Sequence, residues 1–248
     1  MKRFRITALV LCIGLLSFLS FGCSDDDETN IINRYYSKVR VIHASYDAPA
    51  VDVRVDGDVV IEDLEFGESS GFASLLSGTY DIGVTPANLA TPVVIALNDL
   101  TLFPGEEITL FAMNELASIQ PIFAVDSRYT LGGKARVRFV HASPDAPAVD
   151  IRVGDGEGPQ VFSDASFTDV SEYVEVDPGS YVFVVTAAGD TTPVVTYQEV
   201  ELEAETVYTV VALGTLDSED DADFTVRVFI DNGDGDQFVD LVPELDGM

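Results

Sequence analysis

The chain has 248 residues, 43 of them acidic and 13 basic, for a net charge of −30 with two histidines. Such a surface repels nucleic-acid phosphates and anionic headgroups, which excludes nucleic-acid binding. Two cysteines make no disulfide framework, so stability has to come from packed cores.

The amino end reads as a secretory signal over residues 1–22: Lys2, Arg3 and Arg5, then the apolar run 6–22. That run has 17 residues, short of the roughly 20 a spanning helix needs. Leu19-Ser20-Phe21-Gly22-Cys23 resembles the lipobox of bacterial lipoproteins, in which the cysteine is acylated. It departs from the pattern in having Ser20 three places before Cys23, where leucine is usual. Removing the signal leaves 10 basic against 43 acidic residues, a net charge of −33. Residues 23–36 read as an acidic tether opened by Ser24 and Asp25.

One phrase then occurs twice. His43-Ala-Ser-Tyr-Asp-Ala-Pro-Ala-Val-Asp52 returns as His141-Ala-Ser-Pro-Asp-Ala-Pro-Ala-Val-Asp150, an offset of 98, and holds both histidines. Gly78-Thr79-Tyr80 answers Gly179-Ser180-Tyr181 at 101, and Thr109 answers Thr209 at 100. The chain is a tandem duplication: repeat 1 over 37–126, a joint at 127–133, repeat 2 over 134–231 and an acidic tail over 232–248. The extra residues fit the glycine-rich stretch 154–159, and each half is large enough to fold alone.

The pattern is β throughout. Val39, Val41 and His43 alternate with Arg40 and Ile42, and Val51, Val53 and Val55 with Asp52 and Arg54. Further strands are predicted at 72–75, 79–85, 92–97, 99–102, 108–113 and 119–125. Asp56-Gly57, Ser77-Gly78 and Pro104-Gly105 supply turns between several of them. No helical periodicity with a cap is visible. The expectation is all-β: two tandem antiparallel β-sandwiches, immunoglobulin-like or transthyretin-like, of six to eight strands each.

The stretch from Lys38 through His43 and Asp52 to Gly57 resembles the opening signature of the DUF4397 family of secreted domains, and Arg136 to Val153 carries it again. Tyr46 departs from it, where the second copy has the more usual Pro144. The resemblance brings no catalytic residues with it.

Physically, Pro49 restricts Ala48 to extended backbone, and Asp47 is placed to close an Asx-type turn. His43 shares the face of Val39 and Val41, so its ring is expected to point inward and bond a backbone group or Asp47. The same holds for His141 with Asp145. Asp52 and Arg54 are expected on the outer face with Arg40 as a cross-hairpin neighbour. Lys38, Arg136, Arg138 and Arg152 complete a set of outer-face charge pairs. The sharper reading makes a metal or polar-ligand site of His43, Asp47 and Asp52, and of His141, Asp145 and Asp150, though their spacing enforces no geometry. A catalytic pairing of His43 with Ser45 or Asp47 lacks a visible oxyanion turn or third member.

In the tail, Asp231, Asp234, Asp236 and Asp240 suggest calcium by composition. Counted from Asp231, however, positions three and five are Gly233 and Gly235 and the twelfth is Val242, which fails the EF-hand template. A flexible acidic end is the plainer reading. The expectation that results is a non-catalytic, exported lipoprotein of a bacterial envelope, facing the periplasm or the cell surface. It is anchored to the membrane at Cys23 and binds or scaffolds another envelope protein or a glycan. Its rivals are an enzyme or enzyme accessory module using the His43 and His141 loops, and a calcium-dependent adhesion module.

Overall fold

A computed structural model describes residues 35–217 and 222–244. The signal segment 1–22, Cys23, the tether through residue 34 and residues 245–248 lie outside the described residues.

Repeat 1 contributes β1 (Tyr36–Ala44), β2 (Val51–Val55), β3 (Asp58–Leu64), β4 (Ala73–Leu76), β5 (Gly78–Pro86), β6 (Ile95–Leu102), β7 (Glu107–Met113) and β8 (Gln120–Val125). Repeat 2 contributes β9 (Ala135–His141), β10 (Val149–Val153), β11 (Gln160–Ala165), β12 (Val174–Val176), β13 (Gly179–Tyr181) and β14 (Phe183–Ala187). It continues with β15 (Pro193–Thr196), β16 (Val200–Leu202), β17 (Val207–Leu213), β18 (Thr225–Ile230) and β19 (Phe238–Asp240). The fold is all-β, with a single 3-10 turn at Leu116–Ser118 among the described residues.

In repeat 1 the sheet β4-β1-β7-β8 packs on β3-β2-β5-β6. Val41, Leu110 and Ala112 meet Val51, Val53, Ile82, Val84 and Ile95 between them. In repeat 2 the sheet β12-β9-β17-β18-β19 faces β11-β10-β14-β15, with Val137, Phe139, Ile151 and Phe162 inside. The long strand β5 of repeat 1 is answered by two pieces, β13 and β14, and β13 pairs with β16 as a separate two-stranded sheet.

Three expectations need correction. The sheets are not purely antiparallel: β1 runs parallel to β7, and β9 to β17. The chain reaches β7 only after crossing the opposite sheet, the kind of long connection a parallel pair needs. Strand β3 was missed. Asp56 and Gly57, at φ 52° and 89°, close a two-residue hairpin between β2 and β3. A bulge in the β2–β3 register blurs the alternation of Val59 and Ile61. The tail is not wholly loose either, because Phe238–Asp240 adds an edge strand and Leu241 is buried in the second core.

The central strands are covered on both faces. Ile42 and Ala44 of β1, with Phe111 and Met113 of β7, point away from their own sandwich. They pack on Val140, Ala142, Val211, Leu213 and Phe229 of repeat 2. The molecule is therefore a four-layer stack, and a third hydrophobic core joins the two sandwiches.

Candidate functional site

The histidine loops come first. His43 is fully buried at the end of β1. Its Nε2 donates to the Pro49 carbonyl at 3.0 Å and its Nδ1 accepts from the Ser45 N–H at 3.3 Å. Because Pro49 offers a carbonyl, the neutral Nε2–H tautomer follows. Phe66 meets the ring edge-on with centroids 6.3 Å apart. His141 repeats the bond to the Pro147 carbonyl at 3.2 Å, but its buried Nδ1 has no partner. The His141 side chain also lines an apolar cavity of about 50 Å³ in the second sandwich, together with Phe139, Ile151 and Tyr197.

The carboxylates of the phrase go elsewhere. Asp47 accepts the Leu116 N–H at 2.6 Å, and Asp145 accepts the Leu216 N–H at 2.9 Å. Each fastens its loop to the connection that follows β7 or β17. Neither closes on its histidine. Asp52 is buried and takes the N–H groups of Asp63 (3.0 Å) and Asn88 (2.9 Å). Asp150 takes those of Asp164 (2.8 Å) and Gly189 (3.0 Å). All four donors sit at positive φ, between 50° and 77°, where the backbone leaves the regular ladder and needs another acceptor. Burial would raise the Asp150 carboxyl, yet the two N–H bonds and Arg152 hold it below the usual carboxylate range. His43, Asp47 and Asp52 therefore work at three different backbone targets. So do His141, Asp145 and Asp150.

Burial also holds both imidazoles below 6.5, with the Pro49 and Pro147 carbonyl bonds partly opposing it. The unfolded chain then takes up protons that the folded chain refuses. The stability from the neutral rings is present above about pH 6.5 and drains as pH falls through the lower folded values. Replacing both residues, His43→Gln with His141→Gln, is expected to cost about 1–3 kcal/mol at pH 7.5, from two lost buried hydrogen bonds. It should also flatten the loss of stability that the parent shows between about pH 7 and 5.5. Thermal melts of both proteins across that range check it. Identical pH slopes would show that the rings do not titrate with unfolding.

Two arginines, Arg40 and Arg138, overturn the outer-face expectation, while Lys38 pairs with Glu107 and Arg152 with Asp150. Arg40 and Arg138 are buried side chains between the repeats, and Arg40 does not neighbour Asp52. Arg40 donates to Asp231 of repeat 2 at 2.8 Å and stands 3.6 Å from Asp126. Arg138 reaches in the other direction and donates to Asp126, at the end of repeat 1. Register makes the arrangement reciprocal. Thr109 lies opposite Arg40 on the β1–β7 pair, accepts from it and donates to Asp126 at 2.8 Å. Thr209 does the same for Arg138 and donates to Asp231 at 2.5 Å. Tyr173 adds a bond to Asp231 at 2.9 Å and lies under the Arg138 guanidinium. Burial opposes the Arg138 cation, but Asp126, Tyr173 and Asp231 together outweigh it, so its pKa is raised. Two guanidinium groups and two carboxylates meet within a buried interface, where burial pushes the Asp126 carboxyl up against the opposing pull of Arg138 and Arg40.

Two of the tail residues proposed for calcium, Asp231 and Asp234, serve this same interface. Asp231 is consumed by Arg40, Thr209 and Tyr173, and Asp240 by Arg227 at 2.5 Å. The Asp234 carbonyl accepts the Phe72 N–H at 2.6 Å, and the Gly235 carbonyl accepts from Ser69 at 2.7 Å. A Cβ on Gly235 would come 2.5 Å from the Phe72 ring, so glycine there reflects packing against repeat 1. Among the described residues, no three histidine, cysteine or acidic side chains gather as metal ligands, so the four aspartates form no common site. Sequence reading missed the Arg–Asp exchange. Its signal lay in the later halves of β1 and β7, where Ile42, Ala44, Phe111 and Met113 make the second face apolar as well, as strands covered on both sides are.

Comparison with known families adds one result. The family model described as Domain of unknown function (DUF4397) matches residues 37–152 and again 155–237. The first match runs on through the second copy of the histidine phrase, into β10. A search among curated proteins found no match. The two matches take in most of the chain and both histidine loops, and the chain belongs to the DUF4397 family in two tandem copies.

Proposed function

We propose that this protein is a non-catalytic lipoprotein of the bacterial cell envelope, displaying its paired sandwiches as one stiff binding or scaffolding module. One observation carries the reading. In both repeats the residues best suited to chemistry are occupied in closing the fold, His43 and His141 on proline carbonyls and the aspartates on backbone N–H groups. A buried neutral imidazole bonded to a carbonyl is a structural part. Another envelope protein or a glycan is the partner class, met by the end loops and free sheet edges that such a stack offers. Among the described residues no helix is long and apolar enough to cross a membrane.

Intact-mass measurement on protein from the membrane fraction tests the anchor. The expected species begins at Cys23 and carries acyl chains; an unmodified cysteine refutes it. Immobilised chain from residue 24 onward tests the role, challenged with purified envelope polysaccharides and detergent-solubilised envelope proteins. Saturable retention that survives the paired histidine-to-glutamine change is expected. Conversion of any of these compounds that vanishes with the same change would make the protein an enzyme.

A further inference from the structure

The stack has two unlike ends. Strand β1 runs from Tyr36 to the His43 loop, with β7 parallel to it, so Tyr36 lies at the end opposite the histidine loops. Tyr36 pairs with Leu76 across β1–β4, and its carbonyl accepts the Gly105 N–H beside Phe103. The joint between repeats returns to this same end, where Tyr36 and Tyr129 line one cleft of about 560 Å³. Here the surface presents Tyr35 (63% exposed), Phe103 (62%), Tyr129 (83%) and Leu131 (74%), with Leu76 and Tyr36 between them. Of the six large aromatic side chains exposed among the described residues, four lie here.

Charge follows the same polarity. Lys38 and Arg128 share Glu107, and Lys134 holds Asp177, so two carboxylates at this end are paired in place. At the other end Asp47, Glu115 and Asp145 surround Tyr46. Tyrosines and exposed apolar side chains beside paired cations suit the headgroup layer of a bilayer, where amphipathic rings settle. The acidic end suits water. Cys23 and Tyr35 are twelve residues apart, about 40 Å at full extension, and the chain enters the fold in the middle of the aromatic patch.

The geometry points to a membrane-docking face: the tether end, through Tyr35, Tyr36, Leu76, Phe103, Tyr129 and Leu131, seats on the bilayer that anchors Cys23. The stack then stands upright with both histidine loops outward. This rests on the lipoprotein reading for its native setting, and its test does not.

The chain contains no tryptophan, and residues 23–248 hold Cys23 as their one thiol. The variant Phe103→Trp places a lone indole at the tether end, and Leu216→Trp places one among the loops of the acidic end. Each protein is coupled through Cys23 to a maleimide lipid in phosphatidylcholine vesicles, with and without bromine on the acyl chains. Docking predicts that the Phe103→Trp indole shifts to the blue and loses most of its emission to the brominated lipid, while the Leu216→Trp indole does neither. Adding Tyr35→Ser, Tyr129→Ser and Leu131→Ser to Phe103→Trp should restore the emission. Equal quenching of both indoles, or none of either, overturns the docking face. An unacylated Cys23 in the native protein overturns the lipoprotein reading by itself and leaves the vesicle result standing.

Discussion

Asp231→Ala is expected to destabilise the whole chain by about 3–5 kcal/mol, a very large effect for a residue in an apparent acidic tail. The substitution leaves Arg40 buried with its charge uncompensated, because Asp126 is 3.6 Å away and already bound by Arg138 and Thr109. It also strips acceptors from Thr209 and Tyr173. Asp126→Ala should act the same way through Arg138. Restoring neutrality should recover part of the loss. The double change Arg40→Met with Asp231→Leu removes both charges, and buried pairs replaced by apolar groups of similar size are often tolerated. Urea unfolding of Arg40→Met, Asp231→Leu and the double variant gives the coupling directly. A loss below about 1 kcal/mol for Asp231→Ala would show that water reaches Arg40.

The second large effect belongs to the apolar half of the same interface. Phe111→Ala should cost about 3–5 kcal/mol, as large aromatic truncations in packed cores do. Phe111 faces Val140, Val211 and Phe229 and lies outside the core of its own sandwich. The loss should therefore fall on both repeats together. Scanning calorimetry is expected to show one endotherm in the parent and one, at lower temperature, in the variant. Two separated endotherms in the parent would mean that each half unfolds alone and the shared core contributes little. The size of each half permits independent folding. The interface opposes it, since a lone repeat would expose Ile42, Phe111 and Met113 and leave Arg40 without Asp231.

Much of the architecture was legible because it is local. Alternation marked β1, β2 and β5, the recurring phrase marked the duplication, and Gly78 and Gly179 marked equivalent strand starts. The inward direction of His43 followed from its sharing a face with Val39 and Val41, and its bond to Pro49 is of the backbone kind expected. Non-local information was not legible. Asp47 finds Leu116 across 69 residues, and Arg40 finds Asp231 across 191. Period-2 reading places Arg40 opposite Val41 and calls that face solvent, when a second sheet covers it. The aspartates after Ile230 read as a calcium-like or loose acidic run because composition carries no partner. Only the fold shows that Asp231 completes a neutral cluster and that Gly235 accommodates Phe72.

The crossed pairing of Arg40 with Asp231 and Arg138 with Asp126 ties the fate of each copy to the other. A duplicated gene ordinarily frees one half to drift while its twin keeps the job. Here a charge lost from either half strands an opposite charge inside its sibling, so at these four positions the halves are held to change in step. The freedom to diverge is left to their outward loops.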